Sequence, residues 1–456
     1  MTSLWFEAAL LPGGWASQVR ISGSAGRIES LLTGVAPAPE DERHAIALPG
    51  LPNVHSHAFQ RGLAGLTERR AAQSDSFWSW RELMYQFVER MDPQDLEAIT
   101  ALAYAEMLEA GFTRVGEFHY LHHDRDGAPF ADPGELAGRI AAAAAGTGIA
   151  LTLLPVFYAH AAFGGAAPAP RQRRFITDPQ RYADILDASR AAVQALPGAL
   201  VGVAPHSLRA VTPQELTAVV GLARGAPVHI HIAEQVREVE DCLAWSGRRP
   251  IEWLLEHAPV DEHWCLVHAT HASTAELAGM AARGAVAGLC PMTEASLGDG
   301  IFPAREFLKY QGRFGIGSDS NVRLDAAEEL RLLEYSQRLA HRARNVLAGA
   351  PGASTGRTLF DAALAGGAQV LQKAAGPQAQ GLAVGAWLDL VTLRGDDPAL
   401  LARREDEILD SWIFCGGRAA IDCVWRAGVR VVVNGRHRER EAIQGRYAKA
   451  MRRLLA

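Results

Sequence analysis

The sequence predicts an α/β fold: a (β/α)8 TIM-type barrel joined to a small β-sandwich domain formed from both termini. Three observations carry this. Eight short apolar runs of β type recur along the chain, with helix-period stretches between most of them. Strand-like segments stand at both ends. Histidine and aspartate cluster where the apolar runs stop. At 456 residues the chain is too long for one small domain and sufficient for a barrel-sized core plus a second unit.

Residues 1–46 are read as the first part of the sandwich, from alternating segments such as "QVRISG" and "GRIESLLTG". Residues 47–375 form the barrel. Its strands are the runs "IALPGLPNV" (which starts a residue earlier), "TRVGEF", "IALTLLPVFY", "LVGVAP", "PVHIHI", "WCLVHA", "AVAGLC" and "FGIGS". Stretches such as "DLEAITALAYAEMLEAG" and "TPQELTAVVGLAR" place apolar residues three and four apart, the period of a helix with one buried face. Eight such alternations match a (β/α)8 barrel, with insertions at 61–95 and 160–178. Residues 376–456 complete the sandwich with "WLDLVTL", "SWIFCG" and "GVRVVVNG" as strands. They end in a polar surface helix, "REREAIQGRYAKAMRRLLA".

Composition excludes several classes of function. Hydrophobic residues at 48% and charged residues at 21% describe a soluble globular protein. A net charge of -6 offers no electrostatic case for nucleic acid or an anionic membrane. No apolar stretch reaches the roughly 18–20 residues of a membrane span, and "MTSLWFEAALLPGGW" lacks the marks of a signal peptide. Five scattered cysteines without a CxxC pair read as reduced thiols in a cytoplasmic protein.

Barrels of this type carry their chemistry at the C-terminal ends of the strands. The first run ends in His55-Ser-His57, the fifth in "HIHIAEQ" with His229, His231 and Glu234, the sixth in "LVHATH" with His268 and His271, and the eighth in "GSDSN" with Asp319. One histidine at a strand end is commonly structural. Four such ends meeting at one mouth, in a chain of 16 histidines, argue for chemistry. Alternate side chains of a strand share a face, so His55 and His57 point together, as do His229 and His231, with His231 nearer the mouth. Three neutral imidazoles and a carboxylate suit zinc, or iron or manganese.

These residues resemble the amidohydrolase superfamily. "PGLPNVHSH", the His-x-x-Glu of "HIAE", the His of "LVHATH" and the Asp of "GSDSN" point to its aminohydrolase branch, and the likeness covers nearly the whole chain. The resemblance implies His55, His57, His231 and Asp319 as metal ligands, with Glu234, His268 and Asp319 as the acid/base groups. It implies one divalent metal per chain, with zinc the expected ion. A second metal would be bridged by a carbamylated lysine or a glutamate at the fourth strand, and none of the three lysines (Lys309, Lys373, Lys449) is near it. The neighbouring His119, His122 and His123 are surplus to that ligand set.

Two arginines narrow the substrate. Arg81 in "FWSWRELMY" and Arg209 in "APHSLRAV" both follow strand ends on the catalytic side, among apolar or aromatic neighbours. Guanidinium groups bind carboxylates through paired hydrogen bonds, so two of them, with His206, suggest a dicarboxylate. "HSHAFQRGLAG", "FWSWRELMY", "EFHYLHH" and "APHSLRAV" resemble the formimidoylglutamate deiminase family, whose reaction in histidine degradation yields N-formyl-glutamate and ammonia from N-formimino-glutamate. That likeness implies substrate contacts from Gln60, Arg81, Tyr120, His206 and Arg209. The alternative is a deaminase of guanine or another amino-heterocycle. The expected partners are a small dicarboxylate substrate and a second copy of the chain in a homodimer, with no nucleic acid and no membrane.

Overall fold

The computed structural model describes residues 2–69, 76–372 and 381–456. The expected barrel boundary at 375–376 and Lys373 lie outside the described residues.

Four strands open the chain: β1 (Thr2–Leu11), β2 (Gly14–Ser24), β3 (Arg27–Leu32) and β4 (Glu42–Pro49). The barrel strands follow: β5 (Leu51–Ser56), β6 (Phe112–His119), β7 (Ala150–Phe157), β8 (Leu200–Val201), β9 (Ala204–Pro205), β10 (Val228–Ile232), β11 (Trp264–His268), β12 (Val286–Leu289) and β13 (Arg313–Ile316). They form a parallel ladder in the order β10-β11-β12-β13-β5-β6-β7-β8, and β9 also pairs with β7. The short β8 and β9 together fill one barrel position. Isolated parallel bridges, Val203 to Val228 and Ser207 to His231, close the ring onto β10.

Parallel strands covered by helices are buried on both faces, and β5, β6, β7, β10, β11 and β12 are buried along their whole length. Inside the ring, Val54, Cys265, Val267, Val286 and Cys290 pack with Val370 and Leu371, the end of the helix Thr355–Leu371. The Leu371 carbonyl accepts a hydrogen bond from Thr152 Oγ1 near the start of β7, so this helix end closes the barrel opposite the catalytic mouth.

Residues from the end of the chain add β14 (Leu390–Leu393), β15 (Ile421–Arg426), β16 (Val429–Val433) and β17 (Arg436–His437). With β1–β4 they make one continuous sheet, β17-β16-β15-β14-β4-β1-β2-β3. It curls around its own core, which includes Leu4, Phe6, Ile21, Leu390 and Trp425. A bridge from Arg27 to Trp387 brings β3 back against the residues leading into β14.

Two segments depart from the sequence reading. "IALPGLPNV" is two strands, because the chain leaves β4 of the terminal sheet and enters β5 of the barrel at Gly50. A Cβ there would lie 2.2 Å from Thr113 Cγ2, so only glycine allows the crossing. "SWIFCG" is helical, not a strand: Asp406–Ser411 is an α-helix, continued by a π-helical turn over Trp412–Gly416. Trp412 is buried against Phe360, and its Nε1 donates to the Gly417 carbonyl. A short apolar run cannot by itself separate a buried strand from a buried helix turn. The terminal helix Arg440–Leu455 forms as expected, and Arg440 pairs with Glu106 and Glu109 of the helix Pro93–Glu109. No helix among the described residues is long and apolar enough to cross a membrane.

Candidate active site

The ends of β5, β10 and β13 bring three imidazoles and a carboxylate together. His55 Nε2 lies 3.2 Å from His57 Nε2 and 2.9 Å from His231 Nε2, and His57 Nε2 lies 3.3 Å from His231 Nε2. Asp319 Oδ1 lies 3.3 Å from His57 Nε2 and 3.6 Å from His55 Nε2. His57 Nδ1 donates to the Phe118 carbonyl at 2.9 Å, and His231 Nδ1 to the His206 carbonyl at 3.1 Å. In these two rings the Nε2 atoms are therefore bare acceptors. Burial keeps all three neutral: it pushes His57 down to about 3, and His55 and His231 well below the ordinary imidazole range. Lone pairs facing one another at this range repel unless a cation lies among them. Nitrogens bound tetrahedrally at zinc distance stand about 3.3 Å apart, so the donor set fits such an ion.

His268, at the end of β11, sits among carboxylates. Its Nε2 is 3.6 Å from Asp319 Oδ2 and 4.0 Å from Glu234 Oε1, and its Nδ1 is 3.3 Å from Glu294 Oε1. Burial alone would lower its pKa, but the charges of Glu234, Asp319 and Glu294 outweigh that and raise it to about 10. Burial lifts the Asp319 carboxyl to about 7, with His268 opposing the rise.

Unusual backbone conformations hold these groups. Ala233, His268, Ala269, Asp319 and Asn321 all have positive φ, between 43° and 67°, at the ends of β10, β11 and β13. Such strain persists only where surrounding contacts over-determine it. Asn321 Nδ2 reaches Ser56 Oγ and the carbonyls of His57 and Asp319 at 3.0–3.1 Å. The amides of Ser318 and Asp319 donate to the His55 carbonyl, and Asn53 bonds Ser318. Gly317 packs so tightly on His55 that a Cβ would lie 2.9 Å from its backbone nitrogen and oxygen. The ends of β5 and β13 are thereby fixed to each other.

His57 and His231 of the imidazole cluster line a cleft of about 560 Å3, counting its open mouth. Its walls hold Gln60, Arg81, Tyr120, His206 and Arg209 together with Glu234, His268 and Asp319. Gln60 Nε2 donates to the Tyr120 hydroxyl at 2.9 Å, and the Tyr120 ring meets His57 edge-on. His206 packs between His231 and Tyr158. Arg81 and Arg209 each leave a buried Nε with no hydrogen-bond partner. Their circumstances differ: Arg209 Nη2 is 3.9 Å from the fully buried carboxylate of Glu238, whereas Arg81 has no ion pair among the described residues.

The ligand, acid/base and substrate-contact residues expected from the sequence thus meet at one cleft, whereas the surplus histidines, His229 and His271 do not line it. His122 Nε2 is occupied by the Val156 carbonyl and His123 Nε2 by the Ile176 carbonyl, and neither joins the cluster. His229 points away from the mouth to the Val370 carbonyl. Glu294, Glu238 and Asn321 are site residues that the sequence reading missed. Glu294 had a signal, since it follows the seventh run in "CPMTE". Glu238, four residues past Glu234, had only helical spacing.

Comparison with known proteins agrees with this geometry. The model of the amidohydrolase family matches residues 46–431, and that of the formimidoylglutamate deiminase HutF N-terminal domain matches residues 1–45. The chain is 52% identical over 457 residues to formimidoylglutamate deiminase of Pseudomonas aeruginosa, with 100% of each covered. A crystal structure of an amidohydrolase from Brucella melitensis superposes with a TM-score of 0.96 at 55% identity, again over 100% of each chain. An adenosine deaminase from Xanthomonas campestris with bound zinc shares the fold, with a TM-score of 0.81 and 22% identity over 100% of this chain and 98% of that one.

Proposed function

Because the chain belongs to the amidohydrolase family, we propose that it hydrolyses N-formimino-L-glutamate to N-formyl-L-glutamate and ammonia, a step of histidine degradation. Beside the full-length likeness to the Pseudomonas aeruginosa protein, one observation supports this substrate most. Two guanidinium groups with unpartnered buried nitrogens face the same cleft as the imidazole cluster. A neutral heterocycle would leave Arg81 without a countercharge and both Nε groups unpaired.

His55, His57, His231 and Asp319 would hold one zinc ion per chain. When bound, such an ion supplies a water deprotonated near neutral pH. The protein's own groups do the rest. Asp319 Oδ2, turned toward His268, takes the proton released from water. His268 donates from Nε2 to the negative charge that develops as the formimino carbon is attacked. Glu294 fixes the other ring nitrogen. Glu234 passes both water protons, the one taken by Asp319 and the one left on the added hydroxyl, to the formimino nitrogen, which then carries three hydrogens and leaves as ammonia while the carbon keeps the water oxygen. We place the protein in the cytoplasm as a homodimer, a location in keeping with its five free cysteines.

Replacing Arg81 or Arg209 with Met tests the substrate assignment. A charge-assisted hydrogen bond contributes about 1.5–3 kcal/mol, so kcat/KM for formimino-glutamate should fall at least about tenfold at unchanged metal content. Arg209→Met should cost more, because it also strands Glu238. Formimino-glycine should be a poor substrate and formimino-aspartate a weak one. Faster turnover of guanine than of formimino-glutamate would overturn the assignment.

Asn321→Ala should weaken metal affinity by about 10- to 100-fold, although Asn321 is no ligand, because it orients the carbonyls beside His57 and Asp319. Competition with a chelator measures this. Unchanged affinity would remove Asn321 from the support of the site.

A further inference from the structure

Trp78 is not part of the cleft wall, yet guanidinium groups from three separate segments gather on its indole ring. Arg81, one helical turn along in Phe77–Val88, has its Cζ 4.6 Å from the ring centroid. Arg209, just past β9, lies at 5.9 Å, and Arg237, in the helix Val236–Ser246, at 4.8 Å. Three cations this close repel one another, and the electron-rich face of an indole is the side chain best able to gather them. Arg209 also meets Glu238, whose carboxylate accepts the amides of Ala233 and Glu234 at 3.2 Å each. Arg209 therefore has two anchors, an ion-pair partner and a ring. Arg81 has contacts with the rings of Trp78 and Tyr85 and no ion pair among the described residues.

We infer that Trp78 is a specificity-determining positioning residue: it sets the separation of Arg81 and Arg209, and through it the length of dicarboxylate the cleft accepts. The inference rests on the two-arginine reading of the substrate given above. Without the indole, Arg81 loses its main contact and can swing away from Arg209. The site would then still bind dianions, but it would no longer measure them.

Glutarate and succinate, dicarboxylates one methylene apart, report the clamp without any chemistry. Calorimetry on the metal-loaded full chain should find glutarate bound more tightly than succinate. Trp78→Leu should weaken glutarate about tenfold and remove most of the preference, while Trp78→Phe, which keeps a ring face, retains it. In turnover, Trp78→Leu should raise KM for formimino-glutamate about tenfold and change kcat by less than about twofold. A Leu variant with the wild-type preference and KM overturns the inference, as does a wild type that binds the two diacids equally. A wild type that prefers glutarate but leaves formimino-glutamate intact overturns the proposed reaction alone.

Discussion

Glu234→Gln should leave about one metal ion per chain and lower kcat by roughly 10²- to 10⁴-fold, the usual contribution of a positioned acid/base group. Glu234 is buried and lies outside the imidazole triangle, with its Oε1 4.0 Å from His268 Nε2. Its backbone is pinned by Glu238 and by the left-handed turn at Ala233, so the amide should take up the same position. What the amide lacks is a proton to give. Metal analysis and steady-state kinetics on one preparation decide the matter. Full activity would remove Glu234 from the chemistry, and loss of metal would make it a ligand instead.

His55→Ala or His231→Ala should abolish both metal retention and turnover. Each takes one of four donors from a site whose remaining imidazoles are buried and neutral, and an opened site binds zinc far more weakly. A chelator should likewise inactivate the wild type, with activity returning as about one equivalent of zinc is added. Two equivalents of tightly held metal in the purified protein would sink the mononuclear reading.

Much of this site was legible in the sequence because of one geometric rule. A strand alternates its side chains, and a parallel barrel gathers all its strand ends at one mouth. His55, His57, His231, His268 and Asp319 could therefore be grouped although up to 264 positions separate them. Arg81 and Arg209 were legible for a weaker reason, as charges standing among apolar residues beside strand ends. The period-two signal served less well where a strand is short or interrupted. "LVGVAP" became two strands of two residues each, and "SWIFCG" buried its apolar residues through a π-helical turn.

By itself the sequence determined the barrel, the terminal sheet and the identity of the converging groups, because these follow from local periodicity and residue chemistry. Only the tertiary structure decided how those groups are held and charged. Glu234, Glu294 and Asp319 together raise the His268 pKa, Glu238 ties Arg209 to the backbone of Glu234, and Trp78 collects arginines from three segments. The positive φ at His268 and Asp319 likewise belongs to the assembled mouth. A pKa, an ion pair or a strained dihedral depends on distances of a few ångströms between segments far apart in the chain, and no local pattern carries those distances.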